Sequence, residues 1–433
     1  MTTTIIIFLI TYFFIATEKI DKTVAALLGA SAVIFLHTAP YEDLLSKIDF
    51  NVIFLLMGMM ITVGILSITG IFEWVAIMLA QKARGNGIII TLFFIVITAF
   101  FSAFLDNVTT IILVVPITIL ITQILNIPTA PLLVLEAIFS NIGGTATLIG
   151  DPPNILIASQ TNLSFKDFIV NLAPVVVVII TIALALVFLL MQKIFHVNPI
   201  LKKRIMKAEA KLAIVEPQML VKALIVFGFI LVGFFISHVI HIDASIISLA
   251  GALVMVLVTQ MDFHQVLKFV EWNAILFFIG LFMLIGSMET NGVFDILGHH
   301  MLTATNGNLM LTAFAVLWSS AIISSIVDNI PLVIAMIPLL KTVIPVFAAQ
   351  MGIEGNEILV QQQVSNPLFW SLALGACLGG NGTLVGASAN VVVSQIAKRN
   401  NLKISFGYFS KYGIPFMLLS LVISTVYIWL RFF

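Results

Sequence analysis

Two Asp-Asn pairs lie inside long apolar stretches, where an ionised side chain is unfavourable. Asp106-Asn107 occurs in FFSAFLDNVTTIILV, and Asp328-Asn329 occurs in SSIVDNIPLVIAM. A carboxylate at membrane depth costs at least about 2.5–3.5 kcal/mol on insertion scales, and such groups commonly carry ions or protons. Asp and Asn also suit helix N-caps. We therefore predict that both aspartates bind a proton or a cation, with simple capping as the alternative.

Two glycine-rich polar segments interrupt other apolar stretches. They are SNIGGTATLIGDPPNILIAS, residues 140–159, and GGNGTLVGASANVVVSQ, residues 379–395. Irregular backbone at membrane depth is tolerated only where it is buried in protein or lines a wet cavity. We therefore predict two broken helices that face a solute. The candidate binding residues are Asn141, Gly143, Gly144, Thr145, Thr147, Gly150, Asp151 and Asn154 in the first break, and Gly380, Asn381, Thr383, Gly386, Ser388 and Asn390 in the second.

Two carboxylates near the first break each allow two interpretations. Asp151 has no counterpart, because GDPPN in the first break corresponds to GASAN in the second. It is predicted either to bind the solute or to cap the helix that restarts at Pro152, since proline suits a first helical turn. Glu136 lies among leucines, one turn before Ser140. It is predicted either to relay protons or to make a structural hydrogen bond.

The elements that position these residues are membrane helices. Of the 433 residues, 61% are hydrophobic and 9% are charged, whereas soluble domains contain about 45–50% apolar residues. Apolar runs of about 20 residues, the length of a membrane-spanning helix, follow one another along the chain. We therefore expect an all-α polytopic membrane protein that binds lipid and has no nucleic-acid partner.

Several kinds of chemistry are not expected from this sequence. The single Cys377 excludes an internal disulfide and a cysteine metal cluster. The sequence contains no Walker A pattern, so we do not expect the chain to hydrolyse ATP. We expect no enzyme activity, no cofactor and no resident metal. Sodium at the two Asp-Asn pairs is the one metal ion that the sequence allows.

The chain contains an internal duplication. IDFNVIFLLMGMMITVGILSITGIFEWVA, which begins at Ile48, aligns without a gap with VEWNAILFFIGLFMLIGSMETNGVFDILG, which begins at Val270. The same offset aligns Asp106 with Asp328, and a slightly larger offset aligns Gly144 with Gly380. Each half is predicted to contain five transmembrane helices, one of them broken, and a re-entrant hairpin. Because five is odd, the second half is predicted to be inverted.

The predicted boundaries follow from this duplication. The first inverted repeat covers residues 1–192, with its hairpin at 88–125 and its broken helix at 130–158. A basic linker covers residues 193–221. The second repeat covers residues 222–433, with its hairpin at 308–345 and its broken helix at 367–396. Inverted repeats with interrupted helices are typical of secondary transporters, whose binding sites lie near the midplane at the breaks.

The distribution of positive charge predicts the orientation. Basic loops stay cytoplasmic, and the linker is the most basic segment of the chain. Placing the linker inside puts sixteen of the twenty Lys and Arg residues on the cytoplasmic side. The four on the outside are Lys47, Lys166, Lys341 and Arg431. We therefore predict a multi-pass protein of the cytoplasmic (inner) membrane with both termini outside.

The break and hairpin motifs resemble the ion transporter superfamily, in its arsenite-pump (ArsB) and NhaD-type sodium/proton antiporter branch. The break sequence also resembles that of the eukaryotic pink-eyed dilution (P) branch. The resemblance covers nearly the whole chain and implies an elevator-type fold, in which a transport domain moves against a scaffold. It places the hairpin tips at Asp106-Asn107 and Asp328-Asn329, and the unwound loops at residues 143–154 and 379–390. Dicarboxylate carriers of the superfamily have serine where this chain has the two aspartates.

The leading prediction is proton-coupled efflux of arsenite or antimonite. The alternative is sodium/proton antiport of the NhaD type, and an organic-anion carrier of the citrate or dicarboxylate kind ranks third. No Lys or Arg lies deep within a predicted span near the breaks. A polyanionic substrate would usually require one, although helix N-termini and sodium can substitute. A purely structural membrane protein would not explain paired aspartates in apolar sequence. Docking of a separate ATPase on the cytoplasmic side and formation of a homodimer remain open as partner interactions.

Overall fold

A computed structural model describes residues 1–17, 19–161, 163–195, 197, 201–202, 206 and 209–433. Part of the predicted linker at 193–221 therefore lies outside the described residues. Within the described part of the chain, the regular secondary structure is helical and contains no strands. This confirms the predicted all-α class.

The first half forms ten α-helices. Their bounds are α1 Thr2–Thr17, α2 Lys22–Phe35, α3 Tyr41–Ser46, α4 Phe50–Ile68, α5 Ile71–Lys82, α6 Gly87–Phe104, α7 Asn107–Leu125, α8 Thr129–Gly144, α9 Pro152–Gln160 and α10 Phe165–Met191. Aspartates begin several of them. Asp21 accepts hydrogen bonds from the first turn of α2, and Asp49 does the same for α4, as expected for N-cap residues.

From residue 209 onward the structure describes two short 3₁₀ helices, a π-helical turn and eleven α-helices. The 3₁₀ helices are Ala210–Ala213 and Leu267–Phe269, and the π-helical turn is Gln361–Ser365. The α-helices are α11 Pro217–Ile240, α12 Ala244–Thr259, α13 Phe263–Val266, α14 Trp272–Thr290, α15 Val293–Ala304, α16 Leu309–Ser324, α17 Asn329–Gln350, α18 Glu357–Val360, α19 Asn366–Gly379, α20 Ser388–Arg399 and α21 Phe406–Phe432.

Eight of the described helices are long and apolar enough to cross a membrane. They are α4, α6, α7, α10, α11, α14, α17 and α21. Helices α15 and α16 pass the same test as a pair bent by 115°. The protein is therefore a polytopic helical membrane protein.

Both glycine-rich segments interrupt a helix. Helix α8 ends at Gly144 and α9 begins at Pro152, while α19 ends at Gly379 and α20 begins at Ser388. Proline fits the first turn of α9, because a residue at this position donates no intrahelical hydrogen bond. Each Asp-Asn pair lies where two consecutive helices meet: Asp106 caps α7 and Asp328 caps α17.

One set of helices is built from both halves of the chain. Two equivalent helix–helix contacts, one for each half, stabilise it. Helix α4 packs on α12, and α14 packs on α2. Gly58 of α4 lies against Ser248 of α12, and the duplicated Gly280 of α14 lies against Ala26 of α2. We call α1, α2, α4, α11, α12 and α14 the first helix set.

A second helix set is also built from both halves. Helix α6 packs on α8, and the equivalent α16 packs on α19. Gly143 of α8 lies against Ala99, and Gly379 of α19 lies against Ala321. The halves are linked because α7 packs on α20 and α17 packs on α9. We call α6 to α10, α16, α17 and α19 to α21 the second helix set.

Candidate functional site

A cavity of about 500 Å³ lies between the two helix sets. Both Asp-Asn pairs face this cavity, although they are 222 residues apart in the sequence. The first break contributes Asp151, and the start of α20 contributes Ser388. The first helix set contributes a different group of polar residues, namely Asp21, Lys22, Thr23, Glu271 and Asn273.

Asp151 lies at the centre of the polar residues predicted from the sequence. It occupies the N-cap position of α9, yet its carboxylate makes no capping hydrogen bond to that helix. Instead, Asp151 Oδ1 accepts from Asn107 Nδ2 at 3.2 Å and from Asn329 Nδ2 at 3.3 Å. The carboxylate is fully buried. The geometry therefore favours a binding or cross-linking role for Asp151 over simple capping.

Asn141 links the two breaks. Its Oδ1 accepts from Asn107 Nδ2 at 3.2 Å, and its Nδ2 donates to Asn381 Oδ1 at 2.9 Å and to Asn390 Oδ1 at 3.0 Å. Among the described residues, Asn381 Nδ2 has no hydrogen-bond partner. Because all four asparagines are buried, the network joins the two halves inside the second helix set.

Asn154 and Asn390 hold the interrupted backbone in place. Asn154 Nδ2 donates to the carbonyls of Thr145 at 3.2 Å and Thr147 at 2.8 Å. The equivalent Asn390 Nδ2 donates to the carbonyl of Gly380 at 2.8 Å and to another carbonyl of its own break. These bonds satisfy carbonyl groups released by the ended helices, which is required where water is absent. Both side chains therefore act mainly on the loops and lie one layer behind the cavity.

Each break requires glycine where its two ends pass each other. A Cβ atom on Gly144 would lie 2.5 Å from the carbonyl oxygen of Gly150, and one on Gly150 would lie 2.6 Å from that of Gly144. The equivalent distances for Gly380 and Gly386 are 3.0 Å and 2.7 Å. The first break is therefore the tighter of the two at its entering glycine.

The two tip aspartates, Asp106 and Asp328, are both N-caps. Among the described residues, only Asp328 of the two forms an ion pair with a lysine. Thr109 donates to Asp106 through its backbone N–H at 2.9 Å and through its Oγ1 at 2.5 Å. Asp328 Oδ1 accepts from the Ile330 N–H at 3.3 Å. Asp328 Oδ2 additionally accepts from Lys22 Nζ and Ser388 Oγ, each at 2.8 Å. Capping is therefore present at both tips, and it does not account for all contacts of Asp328.

A lysine at a helix end reaches the second break, although the sequence predicts no Lys or Arg deep within a span near the breaks. Lys22 is the first residue of α2, and its ammonium reaches Asp328 and Ser388 in the second helix set. It also lies 5.2 Å from the centre of the Phe277 ring. A lysine at a helix end can place its charge several ångströms from its Cα along an apolar stem. Sequence reasoning assigned Lys22 to a loop and missed this reach.

Glu271 is a second residue that the sequence analysis did not select. It precedes α14, lines the cavity and is partly buried. Burial raises the pKa of Glu271 to about 7, the negative charge of Asp106 adds to this effect, and Lys22 opposes it. Its counterpart in the duplication is Asp49, and this equivalence is a signal that could have identified it.

Glu136 does not face the cavity. It is fully buried in α8, where Thr118 Oγ1 donates to Glu136 Oε1 at 2.5 Å. Its Oε2 has no hydrogen-bond partner among the described residues. The structural hydrogen bond is therefore present, and Glu136 is not among the residues that line the cavity.

No group of three or more His, Cys, Asp and Glu residues within the described part of the chain is placed to hold a metal ion. Cys377 is free and buried, and its Sγ donates to Asn154 Oδ1 at 3.6 Å. A sodium ion at the Asp-Asn pairs would also be bound by asparagine amide oxygens, so the absence of such a group does not test it. The sodium site stays a prediction.

A second cavity of about 510 Å³ lies at the other end of the contact between the helix sets. It is lined by Asp49 at the start of α4 and by Glu289 near the end of α14. The first cavity is lined instead by Met60 further along α4 and by Glu271 at the start of α14. The duplicated helices α4 and α14 therefore run in opposite directions between the two cavities.

Polar bonds cross the second cavity. Gln160 Nε2 at the end of α9 donates to Asp49 Oδ2 at 2.6 Å, and Lys341 Nζ donates to Gln160 Oε1 at 2.9 Å. Lys47 forms an ion pair with Glu289 at 3.0 Å. The Asp49–Gln160 bond joins the first helix set to the second at this end.

A polytopic helical protein with two interrupted helices, and with a polar cavity between two helix sets, has the construction of a membrane transporter. Comparison with known proteins gives the family. The chain belongs to the citrate transporter family (CitMHS), whose profile matches residues 12–360. It is therefore a transporter of this family, and several of the similar proteins are named as uncharacterized transporters.

Three relatives illustrate the similarity. The 46 kDa membrane protein of Mycobacterium leprae is 39% identical over 432 residues, which cover 99% of this chain and 98% of the relative. An uncharacterized transporter of Mycobacterium tuberculosis (strain ATCC 25618 / H37Rv) is 39% identical over 434 residues, covering 99% and 97%. The P protein of Mus musculus is 30% identical over 499 residues, covering 96% of this chain and 58% of the P protein. The predicted similarity to the P protein is thus confirmed, while the arsenite-pump and NhaD-type branch stays a prediction.

Proposed function

We propose that the chain is a proton-coupled secondary transporter that exports arsenite or antimonite through the first cavity. The observation that carries this proposal is the convergence of Asp106, Asp151, Asp328 and Glu271 on one cavity. Among the described lining residues the only Lys or Arg is Lys22, and it is already paired with Asp328. A lining with excess negative charge attracts a cation or accepts a neutral solute, and it repels a polyanion.

The hydrogen-bonding groups suit a small neutral hydroxylated solute. Arsenite is a neutral triol around neutral pH, so it both donates and accepts hydrogen bonds. Carboxylates, amides and hydroxyls face the cavity through Asp106, Asn107, Asn329 and Ser388. Protons would load on the carboxylates, because buried acidic side chains in membranes commonly serve as proton sites.

The inverted arrangement and an elevator motion are part of this proposal. Support for inversion comes from α4 and α14, which are equivalent by duplication and run in opposite directions between the two cavities. Support for relative movement comes from the two helix sets, since each packs closely within itself and both line each cavity. The first set would be the scaffold, and the second set would carry the breaks and tips across the membrane.

The proposed topology keeps the repeats at 1–192 and 222–433, with the linker at 193–221 in the cytoplasm and both termini outside. The first cavity would then open to the cytoplasm, because Lys22 lines it and the charge distribution places that lysine inside. A reporter fused after Lys207 should be cytoplasmic. A cytoplasmic tag at the N-terminus would contradict the inverted model.

An organic anion is the second candidate solute, and a specific observation favours it. Lys22 brings a cation into the cavity from a helix end, and the family is described as that of a citrate transporter. A citrate-like solute would have to displace Asp328 from Lys22 and tolerate the remaining carboxylates. The balance of charge in the lining is why we rank this candidate below a neutral solute.

Transport into everted membrane vesicles distinguishes the candidates. Vesicles with an acidified lumen are supplied in parallel with arsenite, sodium or citrate, while luminal pH is recorded with a dye. We expect arsenite accumulation together with alkalinisation of the lumen. Vesicles carrying Gly144→Leu, which obstructs the first break, serve as the inactive control. Alkalinisation by sodium alone would support sodium/proton antiport, and citrate movement without arsenite movement would overturn the proposed solute.

A further inference from the structure

Lys22 joins the two helix sets at the cavity. Its backbone belongs to α2 of the first set, and its ammonium donates at 2.8 Å both to Asp328 Oδ2 and to Ser388 Oγ of the second set. On its own side it faces the Phe277 ring of α14 at 5.2 Å. Ser388 Oγ also donates to Asp328 Oδ2 at 2.8 Å. The Lys22 ammonium thus contacts both Asp328 at the start of α17 and Ser388 at the end of the second break.

We propose that the Lys22 ammonium acts as a lock on the empty carrier. By pairing with Asp328 when neither proton nor solute is bound, it prevents the second helix set from moving across the membrane. In the solute-free, deprotonated state it ties the second helix set to the first. A proton on Asp328, or a solute bonded to Asp328 and Ser388, takes the place of the ammonium and frees the second set to move. This assignment rests on the proposed proton-coupled transport, and it adds the residue that makes exchange obligatory.

The energetics of the pair suit such a lock. Lys22 keeps 38% of its side chain exposed, whereas Asp328 keeps 11%. An ion pair at the edge of a cavity has less attraction than one sealed from water, so a ligand can displace the ammonium into the cavity. A proton neutralises Asp328, while Lys22 remains charged. A neutral solute would instead donate hydrogen bonds to the Asp328 carboxylate in place of the ammonium, so Asp328 keeps a partner in each state.

Asp106 has no equivalent lock, which makes the device asymmetric. Its carboxylate is bonded to Thr109 of its own helix, and both partners belong to the second helix set. The duplicated position of Lys22 in the second half is Ala244. The lock is therefore present at one tip only, and it lies in the cavity proposed to open to the cytoplasm.

Several other titratable groups face this region and enter any pH experiment. Asp151 faces Asp328 from the first break, Tyr12 faces it from α1, and Asp106 and Glu271 share the cavity with Lys22. Asp21, which caps α2, also lines the cavity. A pH effect is assigned to the Lys22–Asp328 lock only if it disappears in Lys22→Gln. Each measurement is therefore made on both the Lys22 protein and this variant.

The transport test compares Lys22→Gln with Lys22→Arg. In Lys22→Gln we expect uphill accumulation of arsenite to fall by about tenfold or more, while downhill flux stays within about threefold of the wild type, because the empty carrier can now return. Lys22→Arg keeps the charge and should keep uphill transport. Uphill accumulation that survives in Lys22→Gln would overturn the proposal. Equal loss of uphill and downhill flux in that variant would also overturn it, since this is the result expected of a merely structural residue.

A second test needs no solute and so does not depend on the proposed substrate. Asp49 and Gln160 are bonded across the helix sets at the second cavity, and cysteines at both positions report whether the two sets keep this contact. The Asp49→Cys/Gln160→Cys protein is made with Cys377→Ser and treated with a short bifunctional thiosulfonate in detergent. At about pH 8 we expect Lys22→Gln to cross-link about threefold less than the Lys22 protein. Because acid slows the thiolate reaction in every variant, the yield of the Lys22 protein is divided by that of Lys22→Gln at the same pH, and acidification should bring this ratio towards one.

The two tests separate the lock from the transport proposal. Cross-linking that depends on Lys22 and pH, in a protein that moves no arsenite, would retain the lock and reject the solute. Arsenite transport with cross-linking that is the same in Lys22→Gln and in the Lys22 protein would retain the solute and reject the lock. A folded Lys22→Arg protein that cross-links like the Lys22 protein is the matched control for both experiments.

Discussion

Asn107 and Asn329 occupy equivalent positions in the two halves, and both donate a side-chain hydrogen bond to Asp151 Oδ1, at 3.2 Å and 3.3 Å. The duplication is symmetric for the two donors, but the acceptor comes from the first half alone. One carboxylate therefore fastens the start of α7 and the start of α17 to the first break. Any movement of this region would carry both tips together.

Asp151→Asn should damage both stability and transport. Asparagine replaces Asp151 Oδ2, to which Asn329 Nδ2 also donates at 3.4 Å, with an NH₂ donor, and it removes the negative charge that strengthens the bonds to Oδ1. Because the site is buried, we expect the free energy of unfolding to fall by about 1–3 kcal/mol and vesicle transport to be lost. Thermal unfolding in detergent measures the first effect. Asp243→Asn, at an exposed N-cap position without a side-chain cap, is the control, and an Asp151→Asn protein with normal transport would contradict the role of Asp151.

The two breaks should respond unequally to alanine. A Cβ atom on Gly144 meets the Gly150 carbonyl oxygen at 2.5 Å, whereas a Cβ atom on Gly380 meets that of Gly386 at 3.0 Å. Because backbone must move in the first case, we expect Gly144→Ala to lose most transport and Gly380→Ala to keep a measurable part of it. Transport per molecule of inserted protein is the measurement. Gly228→Ala, which has open space around it, is the control, and equal activity of all three variants would show that the close approach is unimportant.

The breaks and tips could be predicted from the sequence because their causes are local. Glycine and proline clusters interrupt helices, and an aspartate in an apolar run begins one, as at Asp106 and Asp328. The contacts of Lys22 and the convergence on Asp151 could not be predicted, because they depend on how helices from different halves pack. The sequence suggested capping and binding as alternatives for Asp151, and only the positions of its partners favour one of them.

Glu136→Gln should leave transport and its pH profile close to those of the wild type. The carboxyl group is buried outside the cavity and keeps one oxygen on Thr118. Glutamine retains an acceptor for Thr118 and removes only the titration. Glu136→Ala should lower the free energy of unfolding by about 1–3 kcal/mol, because Thr118 loses its partner and a void is left. A shifted pH profile in Glu136→Gln would restore the proton-relay interpretation.

Glu271 gives the folded protein a defined pH dependence. Burial, followed by the charge of Asp106, raises its pKa from 4.5 to about 7. Between these values the folded protein retains a proton that the unfolded chain has released, so stability from this group is present at low pH and is lost as the pH rises through about 7. We expect the melting temperature of Glu271→Gln to fall less between about pH 5 and 8 than that of the wild type. Parallel curves for the two proteins would contradict the assigned pKa.

The last prediction separates the two tip aspartates. Asparagine at either position keeps an oxygen for the cap bond from Thr109 or Ile330 but cannot titrate. Duplication alone predicts equal effects, whereas the structure pairs only Asp328 with a cation. We therefore expect Asp328→Asn to lower uphill arsenite accumulation by about tenfold or more and to leave downhill flux insensitive to pH.

Asp106→Asn should lower uphill accumulation less and keep the pH dependence of downhill flux. The measurement is accumulation in vesicles after pH jumps between about 6 and 8, which span the range where a perturbed carboxyl group exchanges its proton. Asp262→Asn is the matched control, because Asp262 caps the short helix α13 away from the cavity lining. If both tip variants pump uphill with an unshifted profile, the aspartates are caps only, and the coupling group has to be sought at Asp151 or Glu271.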